Sequence, residues 1–322
     1  MRLTDGRTLR CEHATALVKG APVRAVIGDI VEVSQPDDHD TGIIDEVEPR
    51  RTQLVRKDPA ERSVPQVLAA NFDLVLVAEP VGQVNLKRLE RELVLAHGTG
   101  ADVGVVLTKA DLAASPDEVK RTIAEAQGLA GSRVLVLAES KRDSASIERI
   151  RTLIAPDRMA VLIGKSGVGK SSLVNLLAGS DVRQVGTVRD GDGKGRHTTV
   201  SRAVVPVAGG GFVVDMPGVR GLGLWDADAG IEAAFPDVEE LAAQCRFRDC
   251  KHEDEPGCAV RAAVEAGELA PARLASYQGL KRENAQMLER RDEARHLRGE
   301  KASDRRKRAA GRRGAGGGRK RR

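Results

Sequence analysis

The chain has 322 residues, 41% hydrophobic and 31% charged, a composition of globular proteins with room for two or three domains. No apolar run approaches the ~20 residues that a membrane-spanning helix needs, and the opening Met1–Gly6 lacks the apolar stretch of a secretory signal. A cytoplasmic protein with no membrane partner is therefore expected. The net charge of +5 is unevenly placed, because residues 301–322 hold 11 Lys/Arg against the single acid Asp304. A basic, Gly-rich tail of this kind suits a polyanion such as nucleic acid, since Arg pairs with phosphate. A merely solubilising tail would have the same composition.

In chain order, residues 1–58 read as short strands with turn punctuation. Val26–Val33 alternates around Gly28-Asp29, and Thr41–Val47 repeats the pattern. Such a stretch predicts a small β-barrel, an OB-fold first. It has no Phe, Tyr or Trp, so RNA contact there is expected to use charge and shape rather than base stacking. Residues 59–70, with Pro59 and Pro65, are expected to form a linker. The apolar runs Phe72–Ala78, Val103–Leu107, Val134–Leu137 and Met159–Ile163 are of strand length, and helix-like segments (Asn85–His97, Pro116–Ala126) fall between them. This alternation predicts an α/β domain with a buried parallel sheet. Arg202–Val207 and Gly211–Val214 are close enough to form a hairpin beside it. Beyond Trp225 the pattern is helical and polar, with Pro271–Arg298 a long helix pair running into the tail.

The sharpest motif is Gly164, Lys165, Ser166, Gly167, Val168, Gly169, Lys170 and Ser171, which matches G-x-x-x-x-G-K-[ST]. It follows the apolar run Met159–Ile163 and precedes a helix start at Ser172, the strand–loop–helix context that a phosphate loop requires. Its glycines let backbone N–H groups converge on phosphate oxygens at the positive end of a helix. Lys170 is expected to reach the β/γ-phosphates and Ser171 to ligate Mg²⁺.

Two weaker motifs gain weight from their company. Asp215-Met216-Pro217-Gly218 leaves an apolar strand; Asp215 can hold Mg²⁺ through its second shell and the Gly218 N–H can touch the γ-phosphate, although D-x-P-G also makes an ordinary turn. Thr108-Lys109-Ala110-Asp111 likewise leaves a strand. Asp111 can accept from guanine N1–H and N2–H₂, groups that adenine does not present, and Lys109 can lie along the base. These residues predict a GTP-binding site.

Together the motifs resemble the circularly permuted, ribosome-associated GTPases of the RsgA (YjeQ) family. In ordinary Ras-like GTPases the phosphate loop comes first, whereas here Thr108–Asp111 precedes Gly164–Ser171, which precedes Asp215–Gly218. The reordering is physically harmless, since loops at the carboxyl ends of parallel strands face one crevice whichever strand comes first. Gly28-Asp29 with Pro49-Arg50-Arg51 looks like the family's OB domain, Gly195–Thr199 like its first switch segment, and Cys245, Cys250, His252 and Cys258 like its zinc motif. The resemblance implies an OB-fold at 1–58, a permuted GTPase domain at 66–223, a small zinc-binding helical domain at 224–300 and a disordered basic tail at 301–322. It also implies hydrolysis of GTP to GDP, stimulated by the small (30S) ribosomal subunit during its late maturation, by a monomer that binds 16S rRNA.

Two departures matter. Thr108 stands where the family has Asn, which removes an amide able to bond the base and tie loops together. The usual Ser-Ala element is degenerate, at Ala138-Glu139-Ser140. At the γ-phosphate, Val219 occupies the place of the Ras-like Gln and can neither orient nor deprotonate water. Relatives are thought to use the His of the switch segment, so His197 is the internal candidate, beside the reading of a surface histidine with no role. Thr199, with Thr198 as the alternative, is expected to contact Mg²⁺ and the γ-phosphate through the switch. Three Cys and one His supply four ligands for a closed, structural zinc site; free thiols and an iron–sulfur centre are the alternatives. Cys11 stands alone. The rival functions are a P-loop ATPase or small-molecule kinase, against which Asp111 argues, and a non-enzymatic RNA-binding scaffold.

Overall fold

The computed structural model describes residues 1, 9–14, 24–37, 39–57, 65–141, 143–154, 156–179, 185–188, 202–216 and 227–315. Five short strands open the chain: β1 (Arg10–His13), β2 (Val31–Ser34), β3 (Thr41–Val47), β4 (Gln53–Lys57) and β5 (Pro65–Ala70). β3 is central, parallel to β1 and antiparallel to β2, while β4 and β5 form a hairpin. A bridge from Ile27 to Ala69 joins the two pieces. Five strands arranged this way are consistent with an OB-like unit. Asp29, fully buried, receives the Arg50 guanidinium at 2.7 and 2.8 Å and the Val26 N–H at 2.8 Å, which fixes the Gly28-Asp29 turn.

β5 corrects the expectation of a linker at 59–70. Pro65 is tolerated because it opens the strand, and Leu68, Ala69 and Ala70 are buried, so the segment carries core. Asn71, directly after β5 and held in the left-handed region (φ 53°), latches the unit at its exit. Its amide accepts from Arg51 N–H and donates to the Gly28 carbonyl.

The centre of the molecule is a seven-stranded sheet. Its strands are β6 (Leu74–Pro80), β7 (Asp102–Thr108), β8 (Leu135–Ala138), β9 (Met159–Ile163), β10 (Val185–Val188), β11 (Arg202–Pro206) and β12 (Phe212–Asp215). They lie in the order β10-β11-β12-β9-β6-β7-β8, with β12, β9, β6, β7 and β8 parallel and β11 antiparallel to both its neighbours, β10 and β12. The sheet buries both faces. Along β6, Val75 and Val77 enter one core while Leu74, Leu76 and Ala78 enter the other, the period of two that a strand imposes. Helices α1 (Leu86–His97), α2 (Pro116–Ala130), α3 (Ser144–Leu153) and α4 (Lys170–Ala178) cover it. Asn85, Ser115 and Asp143 cap the first three by accepting backbone N–H bonds.

The C-terminal region is helical: α5 (Asp228–Ala234), α6 (Pro236–Ala242), α7 (Ala259–Glu265) and α8 (Pro271–Ala315). α8 is one continuous helix rather than a pair, and its backbone stays helical through Ala315, inside the segment expected to be a tail. Its Ala, Arg and Lys residues are good helix formers. A third core joins α1 to this region through Val94, Leu95, Ile231, Phe235, Val260, Tyr277 and Leu280. Arg273 of α8 rivets it. The guanidinium lies 4.0 Å from the Phe235 ring centroid and donates to Asp237 and to the Ala234 carbonyl.

Where α1 crosses α5 the backbones touch. A Cβ on Gly230 would sit 2.3 Å from the Val94 carbonyl oxygen and 3.0 Å from Gly98 N. Gly230→Ala is therefore expected to cost about 2 kcal/mol or more in chemical denaturation, the magnitude of overpacking a rigid site. A variant as stable as the parent would show that the two helices separate freely.

Candidate nucleotide site and metal cluster

The phosphate loop runs from β9 into α4. Gly164 has φ +139° and a Cβ there would lie 2.5 Å from the Ala78 carbonyl oxygen, so only glycine fits where the loop passes β6. Gly169, with φ +114°, precedes α4, and its Cβ position lies 3.3 Å from Thr108 Oγ1. Lys170 is buried and its ammonium donates to the carbonyls of Gly164 (2.6 Å) and Lys165 (2.9 Å). Burial pushes its pKa down, with Asp215 and Glu92 opposing. Lys165, Ser166 and Gly167 are exposed, while Val168 is buried.

Asp215, at the end of β12, faces the same loop. Ser171 Oγ donates to Asp215 Oδ2 at 3.1 Å, and Asp215 Oδ1 is buried with no partner among the described residues. A hydroxyl beside a carboxylate with an orphaned oxygen is the oxygen-donor chemistry that a hydrated Mg²⁺ takes. Ser172 continues α4.

Thr108-Lys109-Ala110-Asp111 leaves β7 next to this loop. Thr108, 1% exposed, donates through Oγ1 to the Val168 carbonyl at 2.5 Å, and Lys109 Nζ donates to the Gly167 carbonyl at 2.8 Å. The loop tie that Thr in place of Asn was expected to remove is thus made by the hydroxyl. What the replacement does remove is a second donor, because a hydroxyl has one proton and Val168 holds it. Asp111 lies half-buried in the short helical turn Ala110–Leu112.

Three buried glutamates surround the site, of which only Glu139, in the degenerate Ser-Ala element, lies in a sequence motif. Glu79, at the end of β6, receives Arg88 of α1 in a bidentate pair with both distances 2.7 Å. Glu92 lies one turn beyond Arg88, and Glu139 follows β8. Glu92 and Glu139 each keep an oxygen without a partner among the described residues. Burial and the charge of Glu79 push Glu92 up to about 7, against Arg88 and Lys170. The available signal was register: Glu92 sits between Leu89 and Leu93, on the face of α1 that enters the core.

His197, Thr199 and Gly218 fall outside the described residues. The structure brings together Thr108, Lys109 and Asp111 with residues 164–172 and Asp215 on loops at the carboxyl edge of five parallel strands.

The second cluster joins α6, α7 and the loop between them. The ligand atoms of Cys245, Cys250, His252 and Cys258 all lie within 4.8 Å of one another. Cys245 Sγ is 3.6 Å from His252 Nδ1 and 3.9 Å from Cys258 Sγ, and His252 Nδ1 is 3.4 Å from Cys258 Sγ. A tetrahedron with metal–sulfur bonds of ~2.3 Å has edges of ~3.8 Å, so the donor set and its spacing fit zinc. Cys258 also caps α7, accepting the Arg261 N–H, and the His252 carbonyl accepts from Gln278 of α8 at 2.7 Å.

The Glu92 shift makes stability depend on pH. An unfolded glutamate loses its proton near ~4.3, whereas this one holds it to about 7. Between those values the unfolded chain is the more ionised, so folding stability falls as pH rises and then levels off. Glu92→Gln, neutral throughout, is expected to be more stable than the parent by about 1 kcal/mol at pH 5 and ~3 kcal/mol at pH 8 in urea denaturation. A difference that does not change with pH would show that Glu92 ionises alike in both states.

Comparison with known proteins agrees with this geometry. The family described as RsgA GTPase matches residues 47–225. A Streptomyces avermitilis protein named "Small ribosomal subunit biogenesis GTPase RsgA" is 41% identical over 292 residues, covering 90% of this chain and 78% of its own. A Xanthomonas axonopodis protein of the same name is 42% identical over 243 residues, covering 75% of this chain and 66% of its own. Among solved structures, YjeQ from Thermotoga maritima superposes with a TM-score of 0.65 at 27% identity, covering 88% of this chain and 92% of that one. YloQ, titled a circularly permuted GTPase, shares the fold with a TM-score of 0.61 at 24% identity, covering 87% of this chain and 88% of that one. The chain belongs to the RsgA GTPase family.

Proposed function

We propose that the protein is a cytoplasmic GTPase that hydrolyses GTP to GDP and phosphate and acts in late maturation of the small ribosomal subunit. The observation that carries the reading is the pair of bonds from Thr108 and Lys109 to the carbonyls of Val168 and Gly167. They join a guanine-type turn to a phosphate loop, so one crevice can take a base at one end and a triphosphate at the other. The names of the relatives support the ribosomal assignment.

In this reading Lys170 exchanges its carbonyl partners for the β- and γ-phosphate oxygens, with the loop N–H groups around them. Ser171 and Thr199 would hold Mg²⁺, with Asp215 beside Ser171 to orient it, and the ion would supply positive charge to the β- and γ-phosphates. The Gly218 N–H touches the γ-phosphate. Asp111 accepts from guanine N1–H and N2–H₂, and Lys109 lies along the base. Val219 cannot position water, so His197 takes that role, in a switch segment that a docked subunit would complete. Turnover is therefore slow alone and fast on the subunit. Contact with 16S rRNA is assigned to the OB-like unit, the Cys/His region and the basic C-terminal segment, in a protein that works as a monomer.

Zinc at Cys245, Cys250, His252 and Cys258 serves structure, because all four positions of a tetrahedron are taken and none is left for substrate. One zinc per chain is expected by plasma mass spectrometry, and Cys258→Ser is expected to lose it, lower the melting temperature and abolish stimulation by the subunit. Full zinc content in that variant would refute the assignment.

GTP hydrolysis measured with small subunits, with large subunits and alone decides the main reading, using Lys170→Ala as the blank. Stimulation on the order of 100-fold or more is expected with small subunits only, in keeping with completion of a catalytic site by a partner. His197→Ala is expected to remove most of it. Equal rates in all three conditions would detach the enzyme from the ribosome.

A further inference from the structure

Thr108 ends β7 beside the phosphate loop and has little freedom to turn away from it. Its carbonyl accepts the N–H of Val81, just past β6, at 2.9 Å, so its backbone is pinned to the neighbouring strand. Its hydroxyl oxygen lies 2.5 Å from the Val168 carbonyl and 3.4 Å from the Glu79 carbonyl, and both of these groups only accept. The single hydroxyl proton is therefore taken up within the protein whichever carbonyl it faces. On the loop side the backbone closes over the side chain. A Cβ on Gly169 would lie 3.3 Å from Thr108 Oγ1 and 3.4 Å from Thr108 Cβ.

Burial separates this residue from its neighbours in the turn. Thr108 is 1% exposed, whereas Lys109 and Asp111 are half-buried and reach solvent. Guanine presents N7 and O6 on one edge, both acceptors, so reading that edge takes a donor that faces the crevice. An Asn at position 108 has two amide protons, enough for one loop carbonyl and one base acceptor. Thr has one, and it is committed.

We propose that Thr108 is a positioning residue that also sets specificity: its hydroxyl holds the base turn to the phosphate loop and leaves N7 of the guanine unread. The ligand class is then wider than guanine nucleotides. It takes in purine nucleotides that keep the N1–H and 2-amino groups and have carbon in place of N7. The inference rests on the reading of Asp111 as the guanine contact.

The test is the dissociation constant of full-length protein for GDP, 7-deaza-GDP and IDP. 7-Deazaguanine keeps N1–H, the 2-amino group and O6 and exchanges N7 for carbon, so the GDP:7-deaza-GDP ratio reads contact at N7 and not the soundness of the fold. IDP lacks the 2-amino group that Asp111 would accept from. The parent is expected to bind GDP and 7-deaza-GDP within about threefold of each other, below the size of a typical hydrogen bond, and to prefer GDP to IDP. Thr108→Asn is expected to raise the GDP:7-deaza-GDP preference to about fivefold or more, one hydrogen bond gained. Thr108→Val keeps the shape without the hydroxyl, so the nucleotide has to order the turn itself, and GDP is expected to bind about fivefold or more weakly with the ratio unchanged. Thr108→Ser restores the hydroxyl and is expected to bind GDP within about threefold of the parent. If the Val variant fails to melt cooperatively, the parent and Thr108→Asn ratios decide the proposal on their own.

A parent that prefers GDP to 7-deaza-GDP by more than about threefold, or a Thr108→Asn ratio that stays at the parental value, would overturn the proposal. So would a Thr108→Val protein that binds GDP as the parent does, or a Thr108→Ser protein that loses as much as Thr108→Val. The two claims fail separately. A parent that prefers GDP to both IDP and 7-deaza-GDP keeps the guanine reading of Asp111 and removes this one, whereas a parent with no preference for GDP over IDP removes both.

Discussion

Two hydrogen bonds from the end of β7 to the phosphate loop set the geometry on which the nucleotide site depends. A nucleotide is a rigid base and a flexible triphosphate joined by a sugar, and a site that reads both must keep its two ends at a fixed separation. Here the side chains of Thr108 and Lys109 donate directly to the backbone carbonyls of Val168 and Gly167, so the separation is set on the phosphate-loop side by main chain and on the other by the short, buried hydroxyl of Thr108. Backbone carbonyls within a loop beside a sheet move less than side chains do, and this makes the tie stiff. It also consumes the single proton of Thr108. A hydroxyl that anchors the loop has no donor left for guanine O6 or N7, both of which only accept. The replacement of Asn by Thr therefore preserves the tie and, in the proposed reading, leaves recognition of the base to Asp111 and Lys109.

Helix α1 extends this constraint beyond the crevice. Leu89, Leu93 and Ala96 belong to the core beneath the sheet, whereas Val94 and Leu95 belong to the core of the C-terminal helices. Its polar residues divide similarly. Arg88 pairs with Glu79 and Glu92 lies within electrostatic reach of Lys170, while Glu90 takes a hydrogen bond from Ser276 and Arg91 pairs with Glu283 on α8. One helix thus touches the surroundings of the phosphate lysine with one side and carries the C-terminal region with the other. Asn284 of α8 adds a second link within the C-terminal region by accepting the Ala227 N–H. A ligand shifts a conformational balance only through contacts that differ between states, and the link through α1 starts beside Lys170, the lysine of the phosphate loop.

Chemistry that is local along the chain was legible in the sequence. The phosphate loop, the Cys/His cluster and the β11–β12 hairpin each occupy a few neighbouring residues, and residue type with spacing was enough. Thr41–Val47 and the α1 segment were legible because their periodicities are clean. β5 reads as linker because Pro59 and Pro65 outweigh a short apolar stretch whose partner, β4, cannot be seen from composition. α3 escapes detection because its Ser-rich sequence exposes most of its surface and buries little beyond Ile147 and Ile150. The buried glutamates are hidden for a different reason. Nothing local distinguishes Glu92 or Glu139 from solvated glutamates; only the register of a helix against a sheet, or of one strand end against its neighbour, puts them inside.

The position of the Cys/His cluster follows from the size of the elements it joins. Helices α5, α6 and α7 have seven residues each, well under the ~12–15 at which an isolated helix becomes marginal in water. They gain burial from Phe235, Val238 and Val260, but these contacts lie on the side toward α1 and α8. The loop from Ala243 to Gly257 is rich in charge and contributes little apolar surface. It is closed instead at Cys245, Cys250 and His252, and joined to the first turn of α7 through Cys258. His252 accepts the strain of a left-handed backbone (φ 61°) to turn its ring into the cluster, and its carbonyl is then taken by Gln278. A loop of this composition has little apolar surface to bury, so in the proposed reading bonds to a common metal centre would add to the hydrogen bonds that order it. The four side chains that would supply that centre, Cys245, Cys250 and His252 of the loop and Cys258 at the cap of α7, lie next to α8, where the hydrophobic core runs out.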